Sequence, residues 1–217
     1  MEIRTYTGSG FGENAYLAVC ESTGDCVAVD PGGGAATLVH DLDTDGLELR
    51  AILLTHAHLD HIEGIAEVRG FAPDVPIWLH PHDLGLYRGV VHQAAMFGLD
   101  ASQQPEPTDL FATGQTHAFG TCALQVRFTP GHAPGHVILV SEEPRIALVG
   151  DVIFQGSIGR TDLPGGDLRT LMTSIRDQVL TLPEDTVLYP GHGPPTTVAH
   201  ERATNPFLLP HFGGELV

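Results

Sequence analysis

A layered α/β sandwich, with sheets inside and helices outside, is the fold class this sequence predicts. Two observations carry it. Short apolar runs of strand length alternate with segments of helical spacing through both halves of the chain. No linker, charge block or low-complexity tract separates the halves, so one domain over residues 1–217 is expected, with an apolar content of 42% to build its core.

The elements follow in order. "NAYLAVC" (14–20) and "CVAVDPGGG" (26–34) read as strands around the turn "ESTGD", the second stopped by Asp30-Pro31-Gly32-Gly33. "AATLVHDLDTDG" (35–46) has helical spacing, "LRAILLT" (49–55) reads as a buried strand, and "DHIEGIAEVRGF" reads as a helix starting near Asp60. "VPIWLH" (75–80) is a strand, followed by a helical or irregular excursion over 81–100. The second half supplies strands in "TCALQVRFTPGH", "HVILVSE" and "RIALVGD". A helix over 167–182 carries an apolar stripe of Leu168, Leu171, Met172, Ile175, Val179 and Leu180. "DTVLYPGHG" (185–193) is a last strand, and 198–212 a short helix with a docked end.

Charge narrows the function. There are 27 acidic against 10 basic residues, and every basic residue is Arg. A nucleic-acid partner would want a basic footprint, and a Schiff-base or P-loop mechanism would want a Lys. No apolar run reaches membrane-spanning length and "MEIRTYTGSGFGEN" carries no leader pattern, so the cytoplasm is the expected location. Cys20, Cys26 and Cys122 form no CxxC pair and read as free thiols.

Four polar clusters each follow an apolar strand: "LLTHAHLDH", "FTPGHAPGH", "ALVGDVIF" and "LYPGHG". Strand-end loops from different parts of one sheet can converge on a site. His56, His58, His61, His132 and His192 offer imidazole nitrogens, and Asp60 and Asp151 offer carboxylates. One tetrahedral ion needs four donors, so this set suits two ions, about 3.5–4 Å apart in hydrolytic sites. Zinc is the expected metal, with iron and manganese as alternatives. A tight loop can turn His56 and His58 to one ion and Asp60 and His61 to the other, and the two oxygens of Asp151 make it the natural bridge.

The motifs "THAHLDH", "PGHAPGH", "GDVIFQGSIGRTD" and "YPGHG" resemble those of the metallo-β-lactamase superfamily, over about residues 13–209. "VDPGG", "MFGLD", "GSIGRTDLPGGD" and "HERATNPFL" are similar to its glyoxalase II branch, in the short single-domain hydroxyacylglutathione hydrolase form. The resemblance implies a four-layer αββα sandwich. It implies His56, His58 and His132 at a first metal site, Asp60, His61 and His192 at a second, and Asp151 bridging. It also implies a small-molecule thioester substrate of S-lactoylglutathione type, with a metal-bridging hydroxide as the expected nucleophile. Asp60 and Asp151 are the expected catalytic carboxylates, Asp60 orienting water or taking a proton if only one ion is bound. The C-terminal helical domain with which two-domain relatives hold glutathione is not expected here. No Cys lies in the four motifs, as it commonly does at the second site of the true β-lactamase branches, so antibiotic hydrolysis is not expected.

Rival functions share these residues. A persulfide dioxygenase would use one iron on His56, His132 and Asp151. A non-catalytic metal-binding protein is the third class. His61 separates them, because a one-metal site does not need it. Around the clusters, Arg160 reads either as a substrate contact or as a partner of Asp162, and Asp30 either as a hydrogen-bond partner of a ligand histidine or as a turn residue. His136 reads as a polar neighbour. Tyr87 and Arg88, with His92 and Met96, are candidates to overhang the substrate. His80, His82, His117, His200 and His211 are expected in surface or core roles.

Overall fold

The computed structural model describes residues 1–209. Strands β1 (Glu2–Thr7), β2 (Asn14–Val19) and β3 (Asp25–Val29) form an antiparallel meander. Helix α1 (Ala35–Asp45) crosses to β4 (Glu48–Leu53), and α2 (Leu59–Ile62) with α3 (Ile65–Phe71) leads to β5 (Ile77–Leu79). A 3-10 turn over Pro81–Asp83, then α4 (Leu84–Arg88) and α5 (Val90–Met96), leads to β6 (Asp109–Leu110). These strands make one sheet in the order β1-β2-β3-β4-β5-β6, parallel from β3 onward.

The second sheet begins with β7 (Thr116–Phe119), β8 (Cys122–Phe128), β9 (Val137–Ser141) and β10 (Ile146–Gly150), each antiparallel to the last. After a small hairpin of β11 (Ile153–Phe154) and β12 (Ser157–Ile158), α6 (Leu168–Ser174) crosses to β13 (Val187–Pro190), which lies parallel to β10. β14 (Thr196–Thr197) closes that sheet's edge, and α7 (Val198–Thr204) packs beyond it.

Period-2 alternation sorts the strand side chains into layers. On β2, β3 and β4, Tyr16, Ala18, Val27, Val29, Ala51 and Leu53 face the second sheet, where they meet Leu124, Val126, Val137, Leu139 and Leu148. Their chain neighbours Leu17, Cys26, Ala28 and Ile52 face outward against Leu38 and Leu42 of α1 and Ile65 and Val68 of α3. In the second sheet Ile138, Val140, Ala147 and Val149 turn to Leu171 of α6 and Val198 of α7. Strands covered on both faces read as continuous apolar runs, which is why these were legible. The result is an αββα sandwich.

Several elements differ from the sequence-based expectation. β1 was not expected: it is a half-exposed edge with one fully buried side chain, Tyr6, so it lacks an apolar run. The helix expected from Asp60 to Phe71 is broken at Gly64, whose N–H donates instead to Pro31 O at 2.9 Å. The helix expected over 167–182 starts on the Asp167 cap, whose carboxylate accepts from Thr170 N, and widens to a π-helical turn over Ile175–Val179. Cys20, Cys26 and Cys122 are free thiols. The docked end expected over the last tail residues, and His211, lie outside the described residues. Among the described residues no helix is long and apolar enough to cross a membrane.

Candidate metal centre

The strand ends bring the four motifs together. β3, β4, β8, β10 and β13 all run toward one edge, so Asp30, His56–His61, His132, Asp151 and His192 leave the sandwich on the same side. Backbone and side-chain hydrogen bonds join the sheets there. Val137 N donates to Thr55 O at 2.8 Å, and Asn14 N donates to Gly191 O at 2.7 Å. Tyr16 and Asn14 both donate from their side chains to Pro190 O, at 2.6 and 3.1 Å.

Two sets of donors result, with ligand atoms inside each set within 4.8 Å of one another: His56, His58 and His132, and Asp60, His61 and His192. In the first, His58 Nδ1 and His132 Nε2 are 2.8 Å apart. In the second, His192 Nε2 is 3.2 Å and His61 Nε2 3.9 Å from Asp60 Oδ2. Asp151 spans both: its Oδ2 lies 3.5 Å from His132 Nε2 and 3.6 Å from His192 Nε2, and its Oδ1 lies 3.4 Å from His61 Nε2. All seven sequence-predicted donors are therefore in one cluster.

The outer nitrogens fix the tautomers. Thr55 donates its one hydroxyl proton to Asp30 Oδ2 at 2.5 Å, so its oxygen must accept from His56 Nδ1–H at 3.0 Å. His61 Nδ1 donates to Asp30 Oδ2 at 3.0 Å, and His132 Nδ1 donates to the Arg160 carbonyl at 2.7 Å. In the neutral form of each ring the lone pair is then left on Nε2, aimed inward. His56 Nε2, His61 Nε2 and Asp151 Oδ1 are buried and make no hydrogen bond. Buried polar atoms are nearly always paired, and three inward-facing atoms that no hydrogen bond satisfies fit a cation. The residues present therefore suit the divalent ions that such donor sets take.

Asp30, His56 and His61 also lie close enough to form a donor group. Asp30 is already committed, since its oxygens also accept from Thr55 N at 2.7 Å. It is both things the sequence left open, a turn residue at φ 48° and the partner of a cluster histidine. His136 is spent as well: Nδ1 bonds Thr129 Oγ1 at 2.9 Å and Nε2 accepts from Asp151 N at 3.1 Å. It anchors the Asp151 backbone, as a polar neighbour.

Electrostatics divides the two sets. Burial, then the neighbouring imidazoles, holds His56 well below the usual histidine pKa, and burial first lowers His58 to about 3. These rings present neutral lone pairs. Burial also pulls His61 down, but Asp151, Asp60 and Asp30 outweigh it and its pKa lies well above the usual value. Burial opposes the charge on Asp151 and Asp60, yet the surrounding histidines keep both below the ordinary carboxylate range. The second set is thus a field that stabilises positive charge.

Close backbone approach makes this possible. A Cβ on Gly191 would sit 2.2 Å from Asp151 Oδ1 and 2.6 Å from His61 Cε1, inside the cluster. A Cβ on Gly32 would sit 1.8 Å from Asp60 O, so the turn after β3 can lie against the start of α2 only as glycine.

A cavity of about 200 Å³ opens over the cluster, lined by Phe11, Leu59, Gln93, Phe97, Arg160 and Leu163 besides the donors. Arg160 does reach it, with its guanidinium bonded to both oxygens of Asp162 at 2.7 and 2.8 Å. Tyr87 and Arg88 do not. Tyr87 is fully buried in the outer core and donates its hydroxyl to Pro105 O, and Arg88 pairs with Glu106 on the surface. The excursion contributes Gln93 and Phe97 in their place, because the turn of α5 faces the cluster.

Two acids escaped the sequence reading. Asp83 is fully buried and accepts from Ala57 N, inside the His56–His61 loop, and from Gly135 N, so it ties two motif loops together. Glu13 is buried with neither oxygen hydrogen-bonded, and burial raises its pKa well above the usual carboxylate range. Neither has a local signal, since each one's neighbours are remote in sequence.

Comparison with known proteins agrees with this geometry. A profile described as "Metallo-beta-lactamase superfamily" matches residues 8–192. The chain is 41% identical to "Probable metallo-hydrolase YqgX" of Bacillus subtilis, covering 90% of this chain and 92% of that one. It is 35% identical to "Hydroxyacylglutathione hydrolase GloC" of Haemophilus influenzae, covering 96% and 98%. Among solved structures it is similar to TTHA1623 in a di-iron-bound form, with TM-score 0.86 and 41% identity over 94% of this chain and 100% of that one. It is also similar to BLEG-1 B3 metallo-beta-lactamase, with TM-score 0.88 and 36% identity over 95% and 99%.

Proposed function

The chain belongs to the metallo-beta-lactamase superfamily, and from that membership we propose that it is a metal-dependent hydrolase of small-molecule thioesters, with an S-lactoylglutathione-type ester as the reference substrate. The observation that carries this is the inward, unbonded Nε2 of His61 beside Asp60 and His192, a second donor set that a one-iron dioxygenase would not require. The name of the Haemophilus influenzae relative supports the thioester class. The di-iron form of a relative 41% identical makes iron, as well as zinc, a metal to test.

In this reading His56, His58 and His132 would hold one ion and Asp60, His61 and His192 the other, with Asp151 within reach of both donor sets. Bound metal ions would bring the pKa of a coordinated water to about 7 and polarise an acyl carbonyl. The chain's residues do the remainder. Asp30, Thr55 and the Arg160 carbonyl keep the imidazoles turned inward and correctly protonated. Asp60 lines the cavity and is held as a carboxylate, the form in which it can serve as a donor to an ion. A departing thiol, with a pKa of about 8.5, leaves as thiolate without a dedicated acid. Phe11, Leu59, Phe97 and Leu163 limit water around the reacting carbonyl.

The test pairs metal analysis with turnover of S-lactoylglutathione, glutathione persulfide and a β-lactam. The expected result is two ions per chain and thioester hydrolysis. His61→Ala should bring metal content toward one ion and lower turnover by about 100-fold or more. Oxygen consumption with the persulfide, or β-lactam turnover with none on thioesters, would overturn the proposal.

A further inference from the structure

We infer that the acyl group of the substrate is apolar and about the size of a benzene ring or a branched four- or five-carbon chain. This rests on the thioester-hydrolase reading and names the class of thioester. A second cavity, of about 140 Å³, adjoins the cluster at His58. Its walls are Leu86, Met96, Phe97 and Leu163, closed at the helix side by Gly85 and Gly89. An apolar protein cavity of about 150 Å³ takes up benzene, so the volume suits such a group.

The polar inventory points the same way. Gln93 lies in the wall, but its amide donates to Ala57 O and Leu86 O, both at 2.9 Å, and its oxygen accepts from Leu59 N at 3.1 Å. Both of its amide protons are taken and its oxygen is already shared with Leu59 N, so it offers a substrate hydroxyl no donor and at most one spare lone pair. The other polar side chains in the wall are His58, turned to His132, and His92, exposed to solvent.

The mouth is apolar too. Phe11 and Phe97 meet edge to face at 5.7 Å, and both are partly exposed, as is Met96. Among the described residues that line the two cavities, Arg160 is the one Arg, and its guanidinium is bonded to Asp162. A thiol with two carboxylates finds little to hold it, and an apolar acyl group finds a matching recess beside the donors.

The experiment uses the metal-loaded protein and a series of thioesters of one neutral thiol, N-acetylcysteamine, carrying acetyl, lactoyl, isovaleryl or phenylacetyl groups, with S-lactoylglutathione alongside. We expect kcat/KM to rise about tenfold or more from acetyl to isovaleryl or phenylacetyl, and the lactoyl ester to stay near acetyl. A lactoyl ester that matches or exceeds the isovaleryl ester overturns the inference and leaves the hydrolase standing. Failure of every thioester, with turnover of persulfide or β-lactam, overturns both. Gly85→Leu projects a side chain from a position whose Cβ direction is open and should cut the phenylacetyl-to-acetyl ratio about tenfold. Met96→Gln, a surface change that the fold tolerates more readily, should lower the same ratio in the same direction. An unchanged ratio in both variants, with melting temperatures near that of the parent, overturns the assignment of this cavity.

Discussion

Asp30 governs the cluster without needing to enter it. Its carboxylate accepts from Thr55 N, Thr55 Oγ1 and His61 Nδ1, so one side chain settles the orientation of two imidazoles. Asp30→Asn keeps the shape but can no longer accept at both positions. Metal affinity should fall about 10- to 100-fold, read by chelator competition, and an unchanged affinity would show that Thr55 alone orients the rings. Asp83 offers a pH test at the same scale. Burial, opposed by the N–H groups of Gly135 and Ala57, raises its pKa from 3.8 to about 6. The folded chain therefore holds this proton when the unfolded chain has lost it. The contribution of Asp83 is fully present below about pH 4 and is lost as pH rises to about 6, at a cost of about 3 kcal/mol. Urea unfolding of the parent and of Asp83→Asn across that range should diverge in the variant's favour as pH rises. Parallel curves would show that Asp83 ionises as freely folded as unfolded.

At the scale of elements, α7 supports the centre through the β11–β12 hairpin. Glu201 is fully buried, and its oxygens accept from Gly156 N, Asn205 Nδ2 and Thr196 Oγ1 at 2.9, 2.8 and 2.5 Å. Asn205 also donates to Ser157 O at 2.9 Å. The hairpin so held runs into Arg160, whose carbonyl orients His132. Glu201→Ala leaves three donors short of an acceptor, and urea denaturation should show a loss of about 3 kcal/mol. The metal-ligating pattern was legible in the sequence because donors and glycines sit a few residues apart within each motif, and because doubly covered strands such as "AILL" announce themselves. β1 was not, since only Tyr6 of its six residues is buried. Tyr87 and Arg88 misled for a related reason: adjacency to a motif in sequence says nothing of which helix face turns inward. Asp83 and Glu13 were invisible because their environments are made by loops far along the chain.

Across the whole molecule, the cluster concentrates negative charge in a chain that already carries net −17. Ions bound to the folded state alone stabilise it by mass action, by about 2.7 kcal/mol at a hundredfold excess over Kd. For a chain of this size that corresponds to a rise of about 5–10 °C in melting temperature on adding metal to chelated protein. A thermal scan with and without chelator checks it, and equal melting temperatures would argue against ligation within the folded sandwich. The seam where Tyr16 and Asn14 grip the Pro190 carbonyl has a consequence for biosynthesis. The two strands so joined are far apart in sequence, 174 residues in the pair Tyr16–Pro190, and His192 follows just after the later one. A nascent chain that has passed Asp151 already carries every donor of the cluster except His192. The first donor set can therefore assemble before the second, which is complete only once β13 has docked and brought His192 beside Asp60 and His61.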